Sequence, residues 1–392
     1  MNELGQYYTE SNFSNLLISF ISNNNPEKVL ELGVGKGSLL KAALQRWNDI
    51  DFIGADVDDD NISMLSNEFP NIKFYLLNGL SSKLDSKLNL EINSIDVAIC
   101  NPPYLYIDKN KEVNSIVYNA GLGKSVNYKR LTSDIVFMAQ NLILLKSGGE
   151  LGIILPDGLI TSHEFEFFRK QILNNHLLLG IIELPDRIFK KTEAKTFILL
   201  IKKENISKKS YRVPLIKADK DGLILDKIFI TSDNLIRRMD YTYHKWEKGI
   251  SSLSGKSLGE LNVKIQRGKY TKKELTVMNV DFIHTSDLYS NTSSELIFRK
   301  NKYENGVIAK EGDIVLSRVG KRCIGTFSVI KKGNVLISDC IYRIQTTEVI
   351  RKKIIDALNS DYGKKWMKAH SHGVCAKVIS KTDLLNFRID IS

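Results

Sequence analysis

In the first half of the chain, short apolar runs alternate with polar, glycine-rich or charged turns, at a spacing that predicts strands and helices in turn. Residues 29–32, 52–55, 72–77 and 95–100 read as strands, the last a nearly continuous apolar run. Periodicity predicts a short helix over 16–21 and longer ones over 39–47, 134–145 and 164–173. Further strands are expected at 151–155, 177–184 and 196–201. Residues 105–131 are polar with little periodicity and read as a loop or lid. The Lys/Asp-rich stretch 202–248 is expected to hold a domain boundary.

From about residue 251 the pattern changes. Short strand-like runs at 313–316, 325–330 and 335–337 are separated by glycine and lysine, with one helix near 351–359 and no proline after residue 240. The first part predicts a doubly wound α/β sheet. The second reads as a smaller α+β domain, and the division is placed as 1–240 and 241–392.

Charge sharpens that division. Residues 1–240 carry 29 Lys/Arg against 30 Asp/Glu, and residues 241–392 carry 27 against 15, so the whole net charge of +11 lies in the second part. A polyanion engaged mainly by that domain is the natural inference, a solubilising surface the plainer one. Basic side chains accompany several expected turns, among them Arg267, Lys269, Arg318, Lys321, Arg322, Lys364 and Lys365, and suit phosphate contacts. Lys129, Arg130, Lys190 and Lys191 add basic positions in the first part. The four cysteines are scattered, with no paired spacing, and read as reduced thiols. No apolar run is long enough to span a bilayer. A cytoplasmic protein with no membrane role is expected.

Chemistry enters at the carboxyl ends of the expected strands. Residues 33–38 form a glycine-rich turn after the first strand, permitting close backbone approach to a ligand. Asp56 ends the second strand, 23 residues after Gly33, where a carboxylate can accept from ribose hydroxyls. Together they predict an adenosine-containing cofactor. Asn78 follows the third strand, within reach of the cofactor's base. Asp58, Asp59 and Asp60 suit helix capping or surface charge better than a metal. His370, His372 and Cys375 read as polar loop positions, without a fourth ligand.

The fourth strand stops at Asn101-Pro102-Pro103-Tyr104. Two prolines can simply end a strand. On a cofactor rim they can also stiffen a loop that presents an amide, a free carbonyl and a ring. An exocyclic amino nitrogen is a poor nucleophile because its lone pair is conjugated with the base. Acceptors such as the Asn101 side-chain oxygen and the Pro102 carbonyl, aimed at the amino hydrogens, draw that nitrogen toward tetrahedral geometry and free the pair to attack a methyl group. Tyr104 can stack on a base that has left its duplex. Cys100 alternates into the core and reads as structural.

In these motifs the chain resembles S-adenosylmethionine-dependent DNA N6-adenine methyltransferases of the gamma class. The resemblance implies a class I (Rossmann-like) methyltransferase sheet followed by a target-recognition domain. Gly5-Gln6-Tyr7-Tyr8-Thr9 matches the N-terminal cofactor motif, with Glu10 where relatives often have proline. Residues 31–37, with Glu31, Gly33 and Gly35, match the motif holding the methionine moiety. Asp56, followed by Val57, matches the ribose-binding acid, and Asn78 stands where many relatives use aspartate. Asn101, Pro102 and Tyr104 carry the catalytic motif, and Phe189 resembles the second ring against the flipped adenine. Residues 312–320 and 372–380 resemble fragments of Type I restriction specificity subunits.

The resemblance implies a modification enzyme that binds double-stranded DNA, is expected as a monomer, and leaves room for a separately encoded restriction endonuclease. A methyltransferase acting on protein glutamine or RNA would use the same loop, but such enzymes tend to lack the Gly5–Thr9 motif and a basic extension. A non-catalytic DNA-binding specificity subunit is the alternative from another class.

Overall fold

The computed structural model describes residues 9–128, 130–186, 195–204, 210–250, 255–289, 295–303, 305–320, 322–373 and 376–391. The chain divides into two compact units, Met1–His244 and Lys245–Ser392.

The first unit is built on β1 (Lys28–Leu32), β2 (Asp51–Asp56), β3 (Lys73–Leu76), β4 (Ile95–Cys100), β5 (Tyr106–Ile107), β6 (Leu131–Thr132), β7 (Leu145–Pro156), β8 (Leu177–Glu183), β9 (Thr196–Lys202), β10 (Arg212–Ala218) and β11 (Ile224–Thr231). Nine of them form one sheet in the order β11-β10-β8-β9-β7-β4-β1-β2-β3, while β5 and β6 pair separately. β1 pairs in parallel with both β2 and β4. The chain therefore runs outward through β2 and β3, then returns to the other side of β1, and ligands gather at such a reversal. β9 is antiparallel to β7 and β8.

Burial on both faces explains the apolar runs. All six residues of β4 are buried. Val97 and Ile99 join a cluster with Leu17, Ile21 and Ile154, whereas Ala98 and Cys100 face a second cluster with Leu32, Met138 and Leu151. Alternate side chains thus fill opposite layers, each large aliphatic one contributing about 1.5–3 kcal/mol on full burial. The Cys100 thiol donates to the Leu32 carbonyl at 3.1 Å, and burial pushes its pKa well up. It is a core residue.

Two regions differ from the sequence reading. Residues 105–131 are no polar loop: β5 and β6 flank a helix, Lys111–Val117, whose Val113, Ile116 and Val117 join the core, as do Ala120 and Leu122 just beyond it. Their three- and four-residue spacing is helical, masked by the surrounding lysines and asparagines. The stretch 202–248 contributes β10 and β11, which extend the sheet before the boundary.

In the second unit a five-stranded sheet centres on Ile314–Ser317 and Ile341–Gln345, accompanied by three- and two-stranded sheets. The expected helix spans Glu348–Asn359, and a second, Asp361–His370, follows it directly. Ser360 separates them, its hydroxyl accepting from the Gly363 amide at 3.1 Å. Lys364 and Lys365 therefore lie on a helix, not a turn. His370 is a buried helix residue stacked on Trp366 and bonded to Glu247 at 3.0 Å, not a loop position.

Candidate active site

The strand ends place the site. Gly33, Gly35 and Gly37 all adopt left-handed φ (78°, 53° and 74°), which lets the chain turn sharply off β1 where a side chain would be strained. The Gly33 amide donates to the Ala55 carbonyl at 2.7 Å, tying the turn to the end of β2. The turn is fixed further by Asp56, whose carboxylate accepts from the Gly35 amide (2.7 Å) and the Asp58 amide (2.9 Å). Asp58 in turn caps the helix Asp59–Glu68. Burial raises the Asp56 pKa against these bonds.

Glu31 lies in β1 just before the turn, buried at 2% exposure, and its Oε2 has no hydrogen-bond partner among the described residues. Desolvation, then the nearby Asp56 charge, raises its pKa well above the ordinary value. An orphaned buried carboxylate oxygen beside left-handed glycines suits a cationic ligand group, which would relieve both penalties. Asn78 is exposed after β3, with its side-chain oxygen accepting from the Leu80 amide at 2.9 Å. The Phe137 ring lies 2.6 Å from where a side chain on Gly79 would begin and 3.5 Å from the same point on Gly33. A bulkier residue at 79 would displace it. Val57 is half exposed beside Asp56. This donor and acceptor set fits an adenosyl cofactor carrying an amino acid moiety.

The loop after β4 is held from several directions. The Asn101 amide nitrogen donates to the Thr9 hydroxyl at 3.0 Å, and the Tyr104 hydroxyl reaches the Asn101 side-chain oxygen (3.1 Å) and the Ile154 carbonyl (3.3 Å). Pro102 is buried. Ser133, which the sequence reading missed, clamps the far side: its hydroxyl donates to the Pro103 carbonyl (2.5 Å) and accepts from the Leu105 amide (3.0 Å). Its own amide donates to the Leu105 carbonyl at 2.9 Å. Thr132-Ser133-Asp134 at the head of the helix Ser133–Leu144 is a helix-start signature that could have flagged it.

The same edge of the sheet continues into buried charge. Glu183, at the end of β8, pairs with Lys195 (2.8 Å) and accepts from the Thr242 amide (2.8 Å) at the start of the helix Tyr241–Ile250. Arg238 pairs with Asp240 at 2.7 Å. The Arg238 charge holds the Asp240 pKa down, to about 2, against the cost of burial.

The rim thus brings together Thr9, Glu31, Gly33, Gly35, Asp56, Asn78, Asn101 and Tyr104. Gln6, Tyr7, Tyr8, Lys129, Phe189, Lys190, Lys191, Lys321 and Cys375 lie outside the described residues. In the second unit, Arg267 is turned onto Asp339 (3.2 Å), and Arg318 bonds the Asp339 carbonyl at 3.1 Å. Lys269 lies over the Tyr270 ring, and Arg322 is exposed.

A sheet reversing at β1 and β4, with one antiparallel strand inserted between β7 and β8, defines a class I, Rossmann-like methyltransferase fold. The family model for N-6 DNA Methylase matches residues 1–260, and the chain belongs to that family. It is 28% identical over 217 residues to the Type II methyltransferase M.BsuBI of Bacillus subtilis, covering 49% of this chain and 42% of that protein. It is 23% identical over 225 residues to the Type I restriction enzyme MpnII methylase subunit of Mycoplasma pneumoniae, covering 52% and 41%. The matches thus span about two fifths of each relative's length. The type IIG restriction endonuclease BpuSI has a similar fold over 97% of this chain and 57% of its own, with a TM-score of 0.52 and 12% identity.

Proposed function

We propose that this protein is a site-specific DNA adenine N6-methyltransferase serving a restriction-modification system. The observation that carries the reading is the Asn101 amide, fixed between Thr9 and Tyr104 on the same rim as the orphaned Glu31 oxygen. Glu31 would meet the cofactor's ammonium group, Gly33 and Gly35 its carboxylate end, Asp56 its ribose, and Asn78 its adenine. S-adenosylmethionine, when bound, supplies an electrophilic methyl group.

The chain's own part is to prepare the nucleophile. The Asn101 side-chain oxygen and the Pro102 carbonyl accept the two amino hydrogens of an adenine drawn out of the duplex, so the nitrogen pair points outward. The Tyr104 hydroxyl keeps the Asn101 amide in that orientation and anchors its own ring from the far end, leaving the ring to face the base. Phe189 is assigned the opposite side. No covalent bond to the protein forms. The basic second domain supplies contacts to DNA phosphate, with Lys269 and Arg322 among its outward-facing groups, and the chain acts as a monomer beside a separately encoded endonuclease. Sequencing modified bases in a host expressing the protein tests the reading: N6-methyladenine should appear at one short recurring sequence, and an unmodified genome would refute it.

A further inference from the structure

The segment that leaves the catalytic loop exposes an aromatic ring that the proposed chemistry does not use. Tyr106 is 69% exposed, and the Arg130 guanidinium lies over its ring at 5.1 Å from the centroid. No carboxylate among the described residues pairs with Arg130, which is itself exposed. Tyr106 lies in the β5–β6 ribbon, opposite Thr132, and Arg130 immediately precedes β6. That ribbon is joined rigidly to the catalytic loop, because Ser133 bonds both Pro103 and Leu105. One residue separates Tyr106 from Tyr104, so their Cα atoms lie at most about 7 Å apart.

An exposed ring beside a guanidinium is well suited to a nucleobase, which can stack on both groups. A duplex presents few free base faces. Drawing one adenine out creates them next to the catalytic loop: the partner base and the adjoining pairs lose a stacking neighbour.

We propose that the Tyr106–Arg130 stack binds the partner base left behind when the adenine flips, and so holds the opened duplex. This rests on the flipped-adenine reading above. It makes Tyr106 a positioning residue, with no role in activating the amine.

The test uses the full-length protein and duplexes carrying the sequence that the wild type methylates. Tyr106→Ala should weaken binding of the intact duplex by about five- to hundredfold, the range for losing one base–aromatic stack. Tyr106→Phe should remain within about twofold of wild type, since the ring and not the hydroxyl stacks. On a duplex with an abasic site opposite the target adenine, Tyr106→Ala should bind as the wild type does. Titration with S-adenosylmethionine, expected unchanged, checks that the variant is folded. Near-normal binding by Tyr106→Ala, an equal loss in Tyr106→Phe, or a loss that persists on the abasic duplex would each overturn the assignment. If the wild type methylates no DNA, the underlying reading fails instead, before any variant is compared.

Discussion

In the first unit positive and negative side chains nearly balance, and the polar groups at the site, the exposed Asn78 apart, are half-buried or buried near strand ends. In the second, the balance is +12 over residues 245–392, and its basic groups lie mostly on the surface. A buried carboxylate such as Glu31 must have a reason, because leaving it unpaired costs stability. A surface lysine needs none. The second unit also spends part of its charge internally: Arg343 pairs with buried Asp313 at 2.6 Å, and Arg267 and Arg318 both turn onto Asp339. The first unit thus holds single polar atoms in place, whereas the second presents positive charge spread over many groups.

That contrast can be broken first at Asn101. Asn101→Ala should lower the methyl-transfer rate about a thousandfold, as losing a preorganised polar group does, with DNA and cofactor binding nearly intact. Single-turnover transfer of labelled methyl groups would measure it, and a rate within tenfold of wild type would remove Asn101 from the chemistry.

Glu31→Gln should weaken S-adenosylmethionine binding by about ten- to hundredfold, the scale of one charged hydrogen bond. Because burial and Asp56 raise the Glu31 pKa, an arriving cation should lower it again and release protons. Calorimetry in buffers of different ionisation enthalpy should therefore give different apparent heats for the wild type and nearly equal ones for the variant. Ser133→Ala, which frees one side of the loop, should reduce turnover by about tenfold while leaving cofactor affinity unchanged, measured as separate kcat and Kd values.

The remaining effect falls on stability and not on turnover. Burial pushes the Asp134 carboxyl up to about 6, above its ordinary value. The folded state then keeps a proton that the unfolded chain releases, so stability falls as pH rises from about 4 to 6 and stays lower above that. Asp134→Asn cannot ionise, and relative to wild type it should gain up to about 3 kcal/mol between pH 4 and pH 7.5 in urea unfolding. A pH-independent difference would contradict that origin.

How much was legible follows the same physics. The strands β1, β2 and β4 were readable because burial on both faces leaves a run of apolar residues, and the glycine turn because left-handed φ values favour glycine. The strands β10 and β11 were not, since Arg212, Lys217, Asp226 and Lys227 interrupt them where the sheet runs out toward its β11 edge. Ser133 escaped because a lone serine at a helix start most often caps its own helix. Here it serves the loop after β4, a neighbour in space but 30 residues away in sequence. The bonds Thr9–Asn101 and Tyr104–Asn101 were likewise invisible in one dimension, although the residues themselves were not. In the second unit, the direction Arg267 and Arg318 take depends on Asp339, which no spacing rule marks.

The rim is proposed to activate the amino group of adenine in duplex DNA, and the loop alone would serve an RNA base or a glutamine amide as well. The most direct measurement offers the purified protein labelled S-adenosylmethionine with duplex DNA, transfer RNA and a glutamine-containing protein substrate together, then identifies the labelled product. Label in N6-methyladenine of the duplex is the expected result. Label in the RNA or on glutamine, with the duplex unmodified, would contradict it.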